Sequence, residues 1–77
     1  MSKVTIYSTP TCAFCHMAKE YFKEHKVEYV DKDVTQDQQA LQDMVTKSGQ
    51  MGVPVIDIDG EITVGFNQPR LAELLKI

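Results

Sequence analysis

The chain has 77 residues, 43% hydrophobic and 25% charged, with a formal net charge of -3. A domain of this size buries only about 60% of the surface its unfolded chain exposes, so one modest core, and a single domain over residues 1–77, is expected. An acidic balance without clustered Lys and Arg excludes a nucleic-acid or anionic-membrane footprint, and no apolar run approaches a membrane span.

Met1-Ser2-Lys3-Val4 runs straight into a strand pattern without an apolar leader, so the cytoplasm is the expected compartment. Val4-Thr5-Ile6-Tyr7 alternates in β fashion, and Ser8-Thr9-Pro10-Thr11 breaks the period. Thr11 is the predicted N-cap of an amphipathic helix from Cys12 to about His25, whose apolar stripe is Cys15, Ala18 and Phe22 with Met17 and Tyr21 beside it. Val27-Glu28-Tyr29-Val30 reads as a second strand. Thr35 and Gln38 form a predicted capping box for a second helix that buries Leu41, Met44 and Val45 and ends at Gly49. Val53–Ile58 and Glu61–Val64 flank Asp59-Gly60, a strong hairpin signal. Pro69 followed by Leu71, Leu74 and Leu75 predicts a short C-terminal helix. The order β-α-β-α-β-β-α, with a right-handed first crossover, predicts an α/β domain: a four-stranded mixed sheet flanked by three helices.

Cys12-Ala13-Phe14-Cys15 holds the only two cysteines, at the start of the first helix. A disulfide stabilises mainly by restricting the unfolded chain, and over so short a loop that gain is small. The pair is therefore read as reactive. The thiolate is the nucleophile in disulfide exchange, and a helix N-terminus favours an anion, so Cys12 is assigned as the exposed attacking thiol. Cys15, on the apolar stripe, becomes the buried resolving thiol. His16, Lys19 and Lys23 lie on a neighbouring stripe, where they either favour the thiolate or are simply solvated. Val53-Pro54 stands at the start of the third strand. Alone it reads as an edge-strand proline, because only about 5–6% of X-Pro bonds are cis.

The strand, the Thr-Pro-Thr-Cys-Ala-Phe-Cys-His loop, Gly-Val-Pro-Val-Ile, the Asp-Gly hairpin and Gly65-Phe66-Asn67 together resemble a glutaredoxin or glutaredoxin-like redoxin over essentially the whole chain. The resemblance implies a thioredoxin-like fold and a dithiol, Cys12 and Cys15, that passes electrons to protein or small-molecule disulfides. It also implies no bound cofactor, a monomer, and electrons from glutathione as co-substrate or from a thioredoxin-reductase-like flavoenzyme. A cis Val53-Pro54 bond facing the cysteines is implied, with the Val53 backbone free to pair with an extended substrate. Thr11, Gln50, Val53, Pro54, Gly65, Phe66 and Asn67 are the candidate substrate contacts, and Phe66 is equally readable as core.

Glutathione-using members usually carry Pro-Tyr between the cysteines, a lysine three residues before the first, and a Gly-Gly-Cys/Ser-Asp turn. Here stand Ala13-Phe14, Thr9 and Val64-Gly65-Phe66-Asn67, while Gln50 matches a residue used toward glutathione. The Gly65-Phe66 turn is more similar to redoxins that reduce ribonucleotide reductase with electrons from thioredoxin reductase. Three other readings are open: an iron–sulfur module using Cys12 and external glutathione, a c-type haem on Cys12-x-x-Cys15-His16 with Met51 as second ligand, and a zinc site from Cys12, Cys15, His16 and His25.

Overall fold

The computed structural model describes residues 3–77, so the Met1-Ser2 part of the approach to the first strand lies outside the described residues. The elements run β1 Val4–Ser8, α1 Ala13–Glu24, β2 Val30–Asp33, α2 Gln38–Ser48, β3 Val55–Ile58, β4 Glu61–Val64 and α3 Gln68–Leu75. The sheet order is β2-β1-β3-β4, with β1 parallel to β2 and antiparallel to β3, and β3 antiparallel to β4. This is the expected β-α-β-α-β-β-α arrangement of a thioredoxin-like fold.

Alternation along β1 sends Val4 and Ile6 to one face, where they meet Ala18, Tyr21 and Phe22 of α1, Ile56 and Ile58 of β3, and Leu71 of α3. Tyr7 points the other way and packs with Val34, Ala40, Met44 and Val55 under α2. Of the expected α2 face, Met44 is fully buried and Leu41 and Val45 pack at its margin. Lys47, near the end of α2, donates to the Tyr7 hydroxyl and to Asp57, each at 2.9 Å, which ties the helix to β1 and β3. The Tyr7 hydroxyl first, and then Asp57, hold the Lys47 ammonium above its ordinary pKa.

Asp59 and Gly60 both have positive φ, 52° and 92°, as a type I′ hairpin turn requires. Gly49 ends α2 with φ 75°, as expected.

The second strand lies three residues later than expected, at Val30–Asp33 rather than Val27–Val30. The cause is the end of α1. The Val27 N–H bonds to the Phe22 carbonyl and the Lys26 N–H to that of Lys23, a Schellman ending in which Lys26 takes φ 56°. Val27 and Tyr29 then seal the first core, and the polar Val-Asp-Lys-Asp run pairs with β1 at the sheet edge. The second helix begins two residues later than the capping box implied. Asp37 is its cap, accepting from the Ala40 N–H at 3.1 Å, while Thr35 bonds back to Asp33. Those bonds from the Thr35 hydroxyl and N–H hold the Asp33 carboxyl below its ordinary pKa. The third strand starts at Val55 rather than Val53, after the proline.

Candidate functional site

Three segments meet at one end of the sheet. The ladder pairs Tyr7 with Val55 and Val55 with Val64, so the chain beyond Ser8, Pro54, and Gly65 all lie past the same edge. The Val53-Pro54 bond is cis, and Pro54 is buried. Gly65, at φ 79°, donates its N–H to the Pro54 carbonyl at 2.8 Å and so locks the turn after β4 to the proline.

Thr11 is not the cap of α1. The turn from Thr9 to Cys12, closed by the Cys12 N–H on the Thr9 carbonyl, places Cys12 itself there, with φ -85° and ψ 112°. Its sulfur accepts the Cys15 N–H at 3.1 Å. A sulfur therefore occupies the position usually held by a Ser, Thr, Asp or Asn oxygen, facing the unpaired N–H groups of the first turn. Thr11 is exposed on that turn.

Both cysteines are free thiols, Cys12 half-buried and Cys15 fully buried. Burial, with a hydrogen bond to the Cys12 sulfur next in weight, pushes the Cys15 thiol up from 9.0 to about 12. The Thr9 N–H and Lys19 act in the opposite direction. His16 turns away from the sulfurs: its Nε2 donates to the Pro10 carbonyl at 2.9 Å and braces the loop.

The remaining candidates divide. Val53 sits beside the cis bond just outside the ladder. The Gln50 side chain is spent on its own loop, donating to the Gly52 carbonyl at 3.0 Å and accepting the Gly52 N–H at 2.7 Å. Asn67 caps α3 through its side-chain oxygen on the Arg70 N–H. Phe66 meets Tyr21 edge-on at 5.9 Å and packs against the first core, so the core reading of this residue holds. Phe14, Met17 and Met51 are exposed apolar side chains on the segments that carry the cysteines and precede the proline, at 60%, 49% and 69%.

A fully buried Cys15 gives its sulfur no access for a haem thioether, and the His25 ring packs against Tyr21 at 4.6 Å in a tilted arrangement. Among the described residues, no group of three His, Cys, Asp or Glu side chains is placed to hold a metal ion, and no helix is long and apolar enough to cross a membrane.

Two adjacent sulfurs of unlike burial, at the first turn of a helix in this fold, define a thioredoxin-like thiol redox protein. The family model for Glutaredoxin matches residues 4–63, and the chain belongs to the glutaredoxin family. A Clostridium pasteurianum protein described as an uncharacterized glutaredoxin-like 8.6 kDa protein in the rubredoxin operon is 45% identical over 73 residues, 95% of this chain and 97% of that one. The glutaredoxin-like protein NrdH of Lactococcus lactis is 31% identical over 71 residues, 92% of this chain and 97% of that one. The crystal structure of the thioredoxin-like protein BC3987 superimposes with a TM-score of 0.88 at 32% identity, covering 94% of this chain and 99% of that one.

Proposed function

We propose that the protein reduces protein disulfides by a two-thiol exchange in which Cys12 attacks and Cys15 resolves. The observation that carries this reading is the inequality of the two sulfurs. Cys12 is accessible and receives a backbone N–H, a contact that is roughly twice as strong to an ionised acceptor as to a neutral one. Cys15 is buried and holds its proton to about 12, so it waits until a mixed disulfide lies beside it. In the first step the Cys12 thiolate bonds to one sulfur of the substrate disulfide and the other leaves as a thiolate. In the second, Cys15 attacks the Cys12 sulfur, the remaining substrate sulfur leaves, and a Cys12–Cys15 disulfide results. Two electrons from an external reductant return it to the dithiol.

The Val53 backbone pairs with the substrate segment as a short added strand, with Pro54 and Gly65 fixing that edge and Thr11 at its rim. The apolar surroundings of Phe14, Met17 and Met51 suit a protein segment. They suit the charged ends of glutathione less well, because position 9 is Thr and the polar atoms of Gln50 and Asn67 are engaged within the chain. A thioredoxin-reductase-like flavoenzyme is accordingly the electron donor in this reading, which the resemblance of the Gly65-Phe66 turn also supports. The protein works as a cytoplasmic monomer of one domain.

The test supplies the oxidised protein with NADPH and thioredoxin reductase, or with NADPH, glutathione reductase and glutathione, and follows NADPH loss in the presence of a protein disulfide. Faster turnover with the flavoenzyme alone supports the reading. Faster turnover with glutathione reverses the donor, and no turnover with either overturns the function.

A further inference from the structure

We infer that Lys19, paired with Asp31, which Ser8 holds in turn, is a positioning residue for the resolving step, its ammonium favouring the Cys15 thiolate as that thiolate forms. The inference rests on the dithiol reading above. Position 19 is one helical turn beyond Cys15 on the face that packs against the sheet, between the buried Ala18 and Phe22. A lysine there is only 17% exposed, a costly place for a charge without a partner.

Two strands supply that partner. Asp31 of β2 meets the Lys19 ammonium at 2.7 Å, and its other oxygen accepts the Ser8 hydroxyl at 2.6 Å. Ser8, 1% exposed, is the last residue of β1, where the chain enters the loop that leads to the cysteines. The clamp thus runs from the strand beneath the cysteine, across the sheet edge, and back to the helix that carries it.

The other charged or titratable groups nearby do not offer the same service. Cys12 is uncharged while it is bonded to the substrate, and His16 faces the Pro10 carbonyl. Asp33 of β2 is held by Thr35. Asp31 is 40% exposed, so water screens the carboxylate more than it screens the ammonium. Lys19 is the cation one helical turn from Cys15, and its charge favours the Cys15 thiolate against the larger opposing effect of burial.

In the step concerned, the Cys15 sulfur loses its proton and bonds to the Cys12 sulfur, and the Cys12–substrate bond breaks. The substrate sulfur departs with the electron pair and takes up a proton, so the step needs no other reactant.

Dithiobis(nitrobenzoate) mixed with the reduced full chain separates the two events. Attack by Cys12 releases one equivalent of thionitrobenzoate in a concentration-dependent phase, and Cys15 releases a second in a phase independent of concentration. For Lys19→Met, the second phase is expected to be about threefold to tenfold slower at neutral pH, with its pH profile displaced upward and the first phase unchanged. Lys19→Arg should restore most of the rate, because it keeps the charge.

A Lys19→Met protein with the parent's second phase and pH profile overturns the inference. So does equal slowing of both phases, or a Lys19→Arg protein as slow as Lys19→Met, since each assigns Lys19 to packing. Release of only one equivalent by the parent protein would instead overturn the dithiol reading itself.

Discussion

The N-termini of α1 and α2 are built alike and differ in one atom. In each, the cap residue is extended and its side chain accepts the N–H three residues on, at 3.1 Å: Cys12 from Cys15 in α1, Asp37 from Ala40 in α2. The oxygen at Asp37 stabilises its helix by accepting that N–H and is no nucleophile toward disulfides. The sulfur at Cys12 places a nucleophile in the same field of N–H groups. One helix end carries a stabilising oxygen, and its twin the thiol proposed to attack.

Removing each cap atom should therefore separate function from stability. The largest effect is expected for Cys12→Ser, which keeps a capping oxygen but no thiol: disulfide turnover falls to background, while the denaturant midpoint stays within about 0.5 kcal/mol of the parent. Serious unfolding of this variant would break the comparison.

The next effect is on pH. The unfolded chain releases the Cys15 proton near its ordinary 9.0, but the folded protein keeps it to about 12. Between those values unfolding releases a proton, so the stability of the reduced protein should fall as pH rises through that window, and the effect should vanish below it. Denaturant titrations of the parent and of Cys15→Ser, each reduced and stepped upward from pH 8, should diverge only above about pH 9. Curves that stay parallel would mean that Cys15 is less enclosed than this packing indicates.

Asp37→Ala should cost about 1 kcal/mol of stability and leave turnover of the folded protein unchanged. Loss of turnover there would show that the second cap also serves the reaction. The smallest effect concerns the other end of α1, where Lys26 occupies a left-handed conformation that suits glycine. Lys26→Gly should raise stability by about 0.5–1 kcal/mol in thermal melts, with turnover unaffected.

The two ends of α1 also show what can be read from residue types. The cysteine spacing, the Asp59-Gly60 turn, the Gly49 cap and the alternation in β1 are local signals, each tied to a conformation few other residues adopt, and they carried the element order and the fold class. The shift of β2 was not legible because Val27 and Tyr29 look like strand residues in isolation. Only the closing hydrogen bonds of α1 turn them toward the core and leave a polar run to pair with β1.

The same division runs through the candidate site. Residue types alone marked the cysteine pair and the proline, and the unequal burial of the two sulfurs followed from the helical period. Which residue caps α1 depended on a turn closed by the Thr9 carbonyl, and Thr11 and Thr35 each lost a cap to a residue further on. The fates of Gln50 and Asn67 were settled by hydrogen bonds within their own turns, which motif matching does not see. Lys19 could have been singled out by its spacing from Cys15, but its partners come from two strands distant in the chain. Periodicity and special residues determine which elements form, because those are properties of neighbouring residues. Where charges and polar atoms spend their bonds is decided when strands and helices pack, because each such group takes the nearest partner, whatever its distance along the chain.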